Sequence, residues 1–329
     1  MKHRKLKHIA LIGSGKIGIR HLEGISKIKF KAKISVIDIN AKSLKLAKKI
    51  YSTLKINKNI TDINFIDSFN SIDKKIDLAI IATNSLNRFH LINNLVNKTE
   101  VKNLVIEKVA FQSENEFKKT LRLIKKNKIK AWVNCSGRIQ KLYINIKKKL
   151  HREKKIEMIC SANGYNIASN AIHLLDRLVF FSRSSIAKID LSELKKKIYK
   201  SKRENYLEFK GCFRAYTSRG DELTIIDEEK NKEIFFLINS DNYKISIYPE
   251  LNVAILLSKS NKWQPHSMDY LAPPQSVLTT FFVNDIIKKG KCGLTNINES
   301  YLIHKPMLNS FLQFINNLSK KKINSCMIT

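Results

Sequence analysis

Acidic residues are scarce in this chain of 329 residues, which has 28 Asp and Glu against 61 Lys and Arg and a net charge of +33. Such an excess first suggests a nucleic-acid partner. However, only 11 of the 61 basic residues are arginine, and the lysines are spread along the whole chain. Sites that read bases favour arginine and interleaved aromatic side chains. We therefore expect no nucleic-acid partner, whereas weak attraction to acidic or phosphorylated substrates is compatible with this charge.

Long apolar runs and paired cysteines are also missing. No apolar run approaches the roughly 20 residues of a membrane-spanning helix, and residues 1–15 have too short an apolar stretch for a secretory signal. The cysteines are odd in number, lie far apart and form no C-x-x-C pair: Cys135, Cys160, Cys212, Cys292 and Cys326. The histidines show no metal-ligand spacing. We expect a reduced, cytoplasmic protein with no membrane span, no disulfide framework and no metal.

Glycine is rare as well, yet three of the ten glycines fall within residues 13–18, where they spell G-x-G-x-x-G. An apolar stretch, "HIALIGSG" (8–15), predicts a buried strand before this loop, and the helical spacing of residues 16–28 predicts a helix after it. Apolar strands then alternate with helices up to residue 134, which is typical of a doubly wound parallel sheet.

The pattern changes after this point. Helices are expected at 138–150 and 170–181, β-like segments dominate from residue 205, and helices at 275–290 and 297–321 close the chain. The fold class is therefore α/β, with an N-terminal Rossmann domain over 1–134 and a C-terminal α+β domain over 135–329 built on a largely antiparallel sheet. No low-complexity linker separates the two predicted domains.

The glycine loop predicts a dinucleotide site. In this motif Gly13 permits a tight turn, Gly15 lets the backbone approach a pyrophosphate, and Gly18 permits close helix–strand packing. Asp38 ends the second strand 20 residues after Gly18, where a carboxylate accepts hydrogen bonds from ribose hydroxyls. That favours NAD, although nearby lysines leave NADP possible. A structural turn without a ligand, or a site for another nucleotide or S-adenosylmethionine, stays open as an alternative.

Several motifs, in order, resemble the glucose–fructose oxidoreductase/inositol dehydrogenase (Gfo/Idh/MocA) family. They are "GSGKIGIRHL" with His21, "IIATNSLNRFHLINNL", "VIEKVAF", "NAIHLLDRLVFF" and "CGLTNINESYLIHKPML". The family transfers a hydride between a nicotinamide and a sugar or cyclitol carbon, and many members form dimers or tetramers. The resemblance covers nearly the whole chain and implies the same two-domain fold, with a sugar or nucleotide-sugar derivative as substrate and a role in surface-glycan biosynthesis.

The resemblance also implies roles for individual residues. The expected catalytic residues are Lys108, His173 and Asp176. The expected cofactor-binding residues are Gly13, Gly15, Lys16, Ile17, Gly18, Asp38, Thr83, Asn84, His90 and Glu107. Asn134 and Arg138 are expected to bind substrate. His173 suits proton transfer because imidazole titrates near neutral pH, and a lysine stabilises a developing alkoxide; the same side chains also fit a satisfied helix histidine and a solvated lysine.

Two departures from the family pattern favour a second hypothesis. Val109 follows Glu107–Lys108 where the family has proline, and Ser169 stands where many members carry aspartate. We therefore expect the carboxylate partner of the catalytic pair to be missing. The alternative function is a catalytically weak or inactive NAD(P)-binding sensor or partner protein.

Overall fold

The structure is a computed structural model that describes residues 6–228 and 233–329. The strands are β1 Lys7–Ile12, β2 Ala32–Ile37, β3 Ile60–Ile66, β4 Lys75–Ile76, β5 Leu78–Ile81, β6 Glu100–Val101, β7 Asn103–Ile106, β8 Lys130–Val133, β9 Glu157–Ala162, β10 Ile186–Asp190, β11 Tyr199–Lys200, β12 Leu207–Glu208, β13 Gly211–Thr217, β14 Glu222–Asp227, β15 Phe235–Asn239, β16 Tyr243–Tyr248, β17 Val253–Ser258, β18 His266–Met268 and β19 Thr295–Asn296. The helices are α1 Lys16–Ile25, α2 Ala41–Thr53, α3 Arg88–Lys98, α4 Glu114–Lys126, α5 Lys141–Leu150, α6 Ile167–Ser182, α7 Gln275–Lys289 and α8 Ile297–Leu318.

The chain divides into two compact units. The first runs to Phe111 and adds Asn115–Ser136 and Pro273–Ile297; the second comprises Gln112–Glu114, Gly137–Ala272 and Asn298–Thr329. The division differs from one at residues 134/135, because α7 returns to the first unit and packs on α1. Gly24 permits that approach, since a Cβ there would overlap atoms of Ser276 and Thr279.

The first unit contains the predicted doubly wound sheet, in the order β19-β8-β7-β5-β1-β2-β3. All its strands are parallel except β19, which pairs antiparallel with β8. Strands β1, β5 and β7 are buried almost throughout, as expected for parallel strands covered on both faces. Strands β2 and β3 lie on one side of β1, and β5, β7 and β8 lie on the other, so the strand order switches between β1 and β5. Ligands of such sheets bind at the carboxyl ends of the strands at this switch point.

The second unit contains the sheet β10-β13-β14-β9-β15-β16-β17-β18. Its strands pair antiparallel except β9 with β14, which run parallel. Side chains of β13, β14 and β15 alternate between buried and half-buried, so one face of the sheet carries the core. Helix α6 packs on β14. The predicted fold class, a Rossmann unit plus an α+β unit with a largely antiparallel sheet, is confirmed.

Some elements differ from the sequence prediction. Strand β9 lies in the middle of the second sheet, although its six residues carry too short an apolar pattern to be distinguished from a loop. The helix predicted at 138–150 begins only at Lys141, after a short 3-10 turn over Ser136–Ile139. Pro306 lies inside α8. Within residues 6–228 and 233–329, no helix has the length and apolar character to cross a bilayer.

Candidate functional site

The glycine loop joins β1 to α1 and is shaped by close backbone packing. Gly13 has φ +96°, a left-handed conformation that favours glycine, and its amide donates to the carbonyl of Ile37 at 2.8 Å. A Cβ on Gly18 would overlap the carbonyl oxygen of Gly13 and lie 2.8 Å from its carbonyl carbon. A Cβ on Gly15 would meet no atom within 4 Å. The loop is therefore packed on its inner side and open at Gly15.

Helix α1 begins beside this opening. Gly15 is its N-cap residue, and the two predicted cofactor residues Lys16 and Ile17 form its first turn. The first turn of a helix presents backbone N–H groups and a partial positive charge, which suits a phosphate. No acidic side chain lies in the first turn of α1.

Asp38 follows the end of β2 and is held against the glycine loop. Its Oδ2 accepts hydrogen bonds from the backbone amide of Ser14 at 2.7 Å and from the Ser14 hydroxyl at 3.0 Å. Its Oδ1 accepts from the backbone amide of Asn40 at 2.9 Å. The carboxylate that the sequence predicts to bind ribose is therefore fixed in position next to the loop.

A cavity of about 370 Å³ opens between Asp38 and the ends of the strands. Its lining follows the carboxyl ends of β1, β2, β3 and β5 and includes part of α3: Ile12, Gly13, Ile37, Asp38, Ile39, Asp67, Ser68, Phe69, Asn70, Thr83, Leu91, Asn94 and Lys98. The structure thus brings three predicted cofactor residues, Gly13, Asp38 and Thr83, into one cavity. Its lining combines apolar side chains with polar groups that include Asp38, a mixture that suits a flat aromatic ring attached to a ribose.

Asn84 and His90 lie outside this lining. The backbone carbonyl of Asn84 accepts a hydrogen bond from the Thr83 hydroxyl at 3.1 Å. His90 lies in the first turn of α3, with its ring 5.3 Å from that of Phe89 in an edge-to-face arrangement. Their roles in cofactor binding stay predictions.

A buried arginine holds the segment that contains Lys108. Arg88 is 1% exposed. Its Nη1 donates at 2.6 Å to the carbonyl oxygens of Glu107 and Val109 and at 2.8 Å to that of Ala110. Its Nη2 donates at 2.5 Å to the carbonyl of Thr83. One guanidinium therefore ties the end of β5 to the chain on both sides of Lys108. The Lys108–Val109 peptide bond is cis.

Glu107, next to Lys108, lies in a buried polar network. His21 Nε2 donates to Glu107 Oε1 at 2.9 Å, and Asn134 Nδ2 donates to the same oxygen at 2.5 Å. His21 Nδ1 lies 2.9 Å from Oγ1 of Thr279 on α7. Asn134 Oδ1 is buried and has no hydrogen-bond partner among the described residues. These contacts therefore link α1, the ends of β7 and β8, and α7 next to Lys108.

This network sets the charge of Glu107. Burial by itself raises the pKa of Glu107, but the hydrogen bond and charge of His21, the hydrogen bond of Asn134 and the charge of Lys108 outweigh it. The net result is that the pKa of Glu107 is lowered from its ordinary value. The carboxylate is therefore ionised at neutral pH and available to orient its neighbours.

Helix α6 of the second unit carries the other predicted catalytic residues. His173 is half-buried, and Asp176 is 2% exposed. Asp176 Oδ2 accepts from Nε of Arg138 at 2.8 Å, and Nη1 of Arg138 donates to Glu299 at 2.8 Å. Burial lowers the pKa of Arg138, but the charges and hydrogen bonds of the two carboxylates outweigh this and raise it. Asp176 and Arg138, which the sequence assigns to catalysis and substrate, thus form a buried ion pair.

A carboxylate from another part of the chain lies at the start of α6. Glu208 of β12 is 5% exposed and accepts from the backbone amide of Ala168 at 3.0 Å and from the Ser169 hydroxyl. Ser169 is the position where many members of the resembling family have aspartate. A carboxylate from a separate strand is therefore present at this end of the helix.

Sequence reasoning missed Arg88, Thr279 and Glu208. Arg88 is one arginine in a polar stretch, and Thr279 and Glu208 lie in segments read only as a helix and a β-rich region. Each acts through contacts across long sequence separations, for which a single sequence has no local signal. His21 was noticed only as part of the glycine-loop motif.

No protein-family model and no curated protein matches the chain. Solved structures match it over nearly its whole length. UDP-N-acetylglucosamine 3-dehydrogenase GnnA from Acidithiobacillus ferrooxidans has 12% identity and a TM-score of 0.69, covering 94% of this chain and 97% of its own. Scyllo-inositol dehydrogenase from Lactobacillus casei, with bound NAD(H) and scyllo-inositol, has 16% identity and a TM-score of 0.63, covering 91% and 94%. A super-repressor mutant of Gal80p from Saccharomyces cerevisiae has 10% identity and a TM-score of 0.72, covering 97% and 100%.

These similarities establish a shared fold. Each of the three covers more than nine tenths of the chain, so the shared fold extends over both units.

Proposed function

We propose that the chain is an NAD-dependent dehydrogenase that transfers a hydride between a nicotinamide cofactor and the hydroxyl or keto carbon of a sugar or nucleotide-sugar derivative. The observation that carries the proposal is the cradle at the β1–α1 loop, which is open at Gly15 and adjoins the Asp38 cavity. The fold neighbours named above include a nucleotide-sugar dehydrogenase and a cyclitol dehydrogenase with bound NAD(H), which supports the same reaction class.

The residues present fit a dinucleotide. Gly13, Gly15 and Gly18, with the first turn of α1, would hold the pyrophosphate, and Asp38 would accept hydrogen bonds from the adenosine ribose. The negative charge of Asp38 disfavours a 2′-phosphate, so NAD is preferred over NADP. When bound, the nicotinamide supplies the hydride acceptor or donor.

The chain's own residues would handle the proton and the charge. His173 would take the substrate hydroxyl proton at a ring nitrogen. The Lys108 ammonium would stabilise the negative charge that develops on the substrate oxygen. Arg88 and Glu107 are positioning residues. Arg88 holds the backbone on both sides of Lys108, and the Glu107 side chain is itself fixed by His21 and Asn134. Asp176, held by its ion pair with Arg138, would keep the face of α6 that carries His173 in a fixed orientation.

The test combines cofactor binding with turnover. Calorimetry should detect NADH binding to the wild type, and NAD⁺ reduction should appear with at least one member of a sugar and nucleotide-sugar panel. Lys108→Met and His173→Asn should each lower kcat at least about a hundredfold while leaving NADH affinity nearly unchanged. The matched controls are Lys102→Met and His266→Asn, which alter exposed side chains. Full activity in both site variants contradicts the assigned roles.

A catalytically weak NAD-binding sensor or partner protein is the second candidate. Val109 favours it, as does the fold shared with the super-repressor mutant of Gal80p, whereas Glu208 supplies a carboxylate at Ser169. Tight NADH binding with no turnover across the panel supports this candidate over the dehydrogenase.

A homo-oligomer, a dimer or tetramer, is also proposed. Half-buried side chains of neighbouring strands line up across one face of the second-unit sheet: Thr224, Ile159, Leu237, Ser246 and Ile255. A face of this apolar character is suited to a self-complementary interface. Sedimentation equilibrium measures the state directly, and a monomer at micromolar concentration contradicts the proposal. We also propose that the protein acts in the cytoplasm, in surface-glycan biosynthesis.

A further inference from the structure

An arginine on α6 lies among neutral groups. The guanidinium carbon of Arg177 is 3.8 Å from the ring centroid of Tyr143 and 5.3 Å from that of Phe236, within the range of cation–π contact. Tyr143 and Tyr270 interact electrostatically. Tyr165 lies near enough for the charge of Arg177 to affect its pKa. Two aromatic rings therefore face the Arg177 guanidinium, and two further phenols, Tyr165 and Tyr270, are within range of its charge.

This cation has no acidic partner. In the part of the chain that the structure describes, Arg177 makes no ion pair and no side-chain hydrogen bond, and its Nε is buried without a partner. Its neighbour Asp176 pairs with Arg138 instead. Withdrawing a guanidinium from water is costly unless an anion or hydrogen-bond acceptor replaces the lost hydration. The Arg177 side chain is half-buried, and an anion beside its Nε would satisfy this buried donor.

Arg177 shares a helix face with the predicted proton acceptor. Residues four apart on a helix are neighbours on its surface, so Arg177 lies one turn beyond His173 and on the same side of α6. Burial raises the pKa of Tyr270 to about 12 and the pKa of Tyr165 well above its ordinary value. Both phenols stay protonated at neutral pH and can act as hydrogen-bond donors. A guanidinium with neighbouring hydroxyl donors is complementary to an oxyanion.

We propose that Arg177 binds an anionic substituent, a carboxylate or a phosphate, of the sugar substrate. This inference rests on the proposed function for the identity of the ligand as substrate, but the anion site itself is a property of the second unit. The planar guanidinium presents paired N–H groups that match both oxyanions, whereas a neutral hydroxyl accepts only one of them. Arg177 therefore selects uronic acids and sugar phosphates, or the phosphates of a nucleotide sugar, over neutral sugars.

The test follows the Arg177 side chain directly. Protein with ¹⁵N-labelled arginine is titrated at 150 mM NaCl with inorganic phosphate, D-glucuronate, D-glucose 6-phosphate and D-glucose, and the arginine Hε–Nε signals are recorded. The Arg177 signal is identified by its loss in Arg177→Lys. We expect it to shift saturably with at least one anionic probe and not with glucose. Glucuronate and the two phosphates separate the carboxylate and phosphate sources.

Calorimetry of the variants gives the matched control. Arg177→Gln should weaken binding of the responding anion at least about tenfold, as expected for loss of a charge-assisted hydrogen bond. Arg183→Gln, which removes an exposed charge just after α6, should leave that affinity unchanged. Arg177→Lys serves in place of the glutamine variant if the latter does not fold. An Arg177 signal that moves no more than those of the exposed arginines, or equal weakening in Arg177→Gln and Arg183→Gln, overturns the inference.

The outcome is separate from that of the proposed function. A saturable shift at Arg177 without turnover of any sugar retains the anion site and rejects the dehydrogenase. Turnover restricted to neutral sugars, with no shift at Arg177, rejects the anion site and retains the dehydrogenase.

Discussion

Alanine substitution at two glycines of the same loop should have opposite consequences. At Gly18 a Cβ would overlap the Gly13 carbonyl oxygen and lie 2.8 Å from the carbonyl carbon, both backbone atoms that cannot rotate away. Over-packing of this kind costs about 3 kcal/mol at the upper end of its range. The gain in helix propensity from glycine to alanine returns about 1 kcal/mol. Gly18→Ala should therefore destabilise the protein by about 2 kcal/mol and lower Tm by roughly 5 °C.

At Gly15 the same methyl group meets no atom within 4 Å, and the φ of −67° is accessible to alanine. Reduced entropy of the unfolded chain stabilises the variant by about 0.4–1 kcal/mol. Alanine is a poorer N-cap than glycine by a similar amount. The two effects offset each other, and stability should change by less than about 0.5 kcal/mol. NADH affinity should nevertheless fall at least about tenfold, because the methyl occupies the approach to the first-turn amides.

Thermal unfolding and NADH calorimetry on both variants separate stability from binding. Gly15→Ala with wild-type NADH affinity refutes the idea that this loop approaches a pyrophosphate. Destabilisation of Gly15→Ala as large as that of Gly18→Ala refutes the packing argument.

Two further predictions concern carboxylates of the first unit. Glu107→Gln breaks a buried pair with His21 and should lower the free energy of unfolding by about 3 kcal/mol at pH 7. Because the pKa of Glu107 is lowered in the folded protein, the stabilisation from its carboxylate is fully present above about pH 4.3. It is lost as the pH falls through the lowered pKa. Urea unfolding of both proteins from pH 7 to pH 3 checks this, and a gap in stability that stays constant with pH contradicts it. Asp38→Asn keeps an acceptor near Ser14 but removes the charge, so the ratio of NADPH to NADH affinity should rise about tenfold by calorimetry; an unchanged ratio shows that Asp38 does not set the preference.

The local backbone was largely predictable from the sequence. The predicted helix over 16–28 is α1, Lys16–Ile25, and the predicted helix over 170–181 is α6, Ile167–Ser182. Periodic spacing of apolar residues and glycine geometry act within a few residues, so a single sequence contains them. The placement of Asp38 beside the glycine loop was also predictable, because the ends of adjacent parallel strands share one edge of the sheet.

The predicted site was only partly recoverable from the sequence. The glycines, Asp38 and Thr83 converge on one cavity as expected. By contrast, Asp176 and Arg138 look like independent functional residues in the sequence, yet they pair with each other in the structure. The roles of Lys108 and His173 stay predictions that the variants above test.

What the sequence by itself determined is the order of elements, the glycine turn and the chemical types available for a dehydrogenase. Only the tertiary structure decided which of those groups neutralise one another and which stay available. His21 is hydrogen-bonded to Glu107, 86 residues away in the sequence. Asp176 pairs with Arg138, whereas Arg177 pairs with no carboxylate among the described residues. The physical reason is that charge pairing and burial depend on long-range contacts created by strand order and helix packing. The same type of side chain can therefore form a structural ion pair or bind an anion, depending on which groups the fold places beside it.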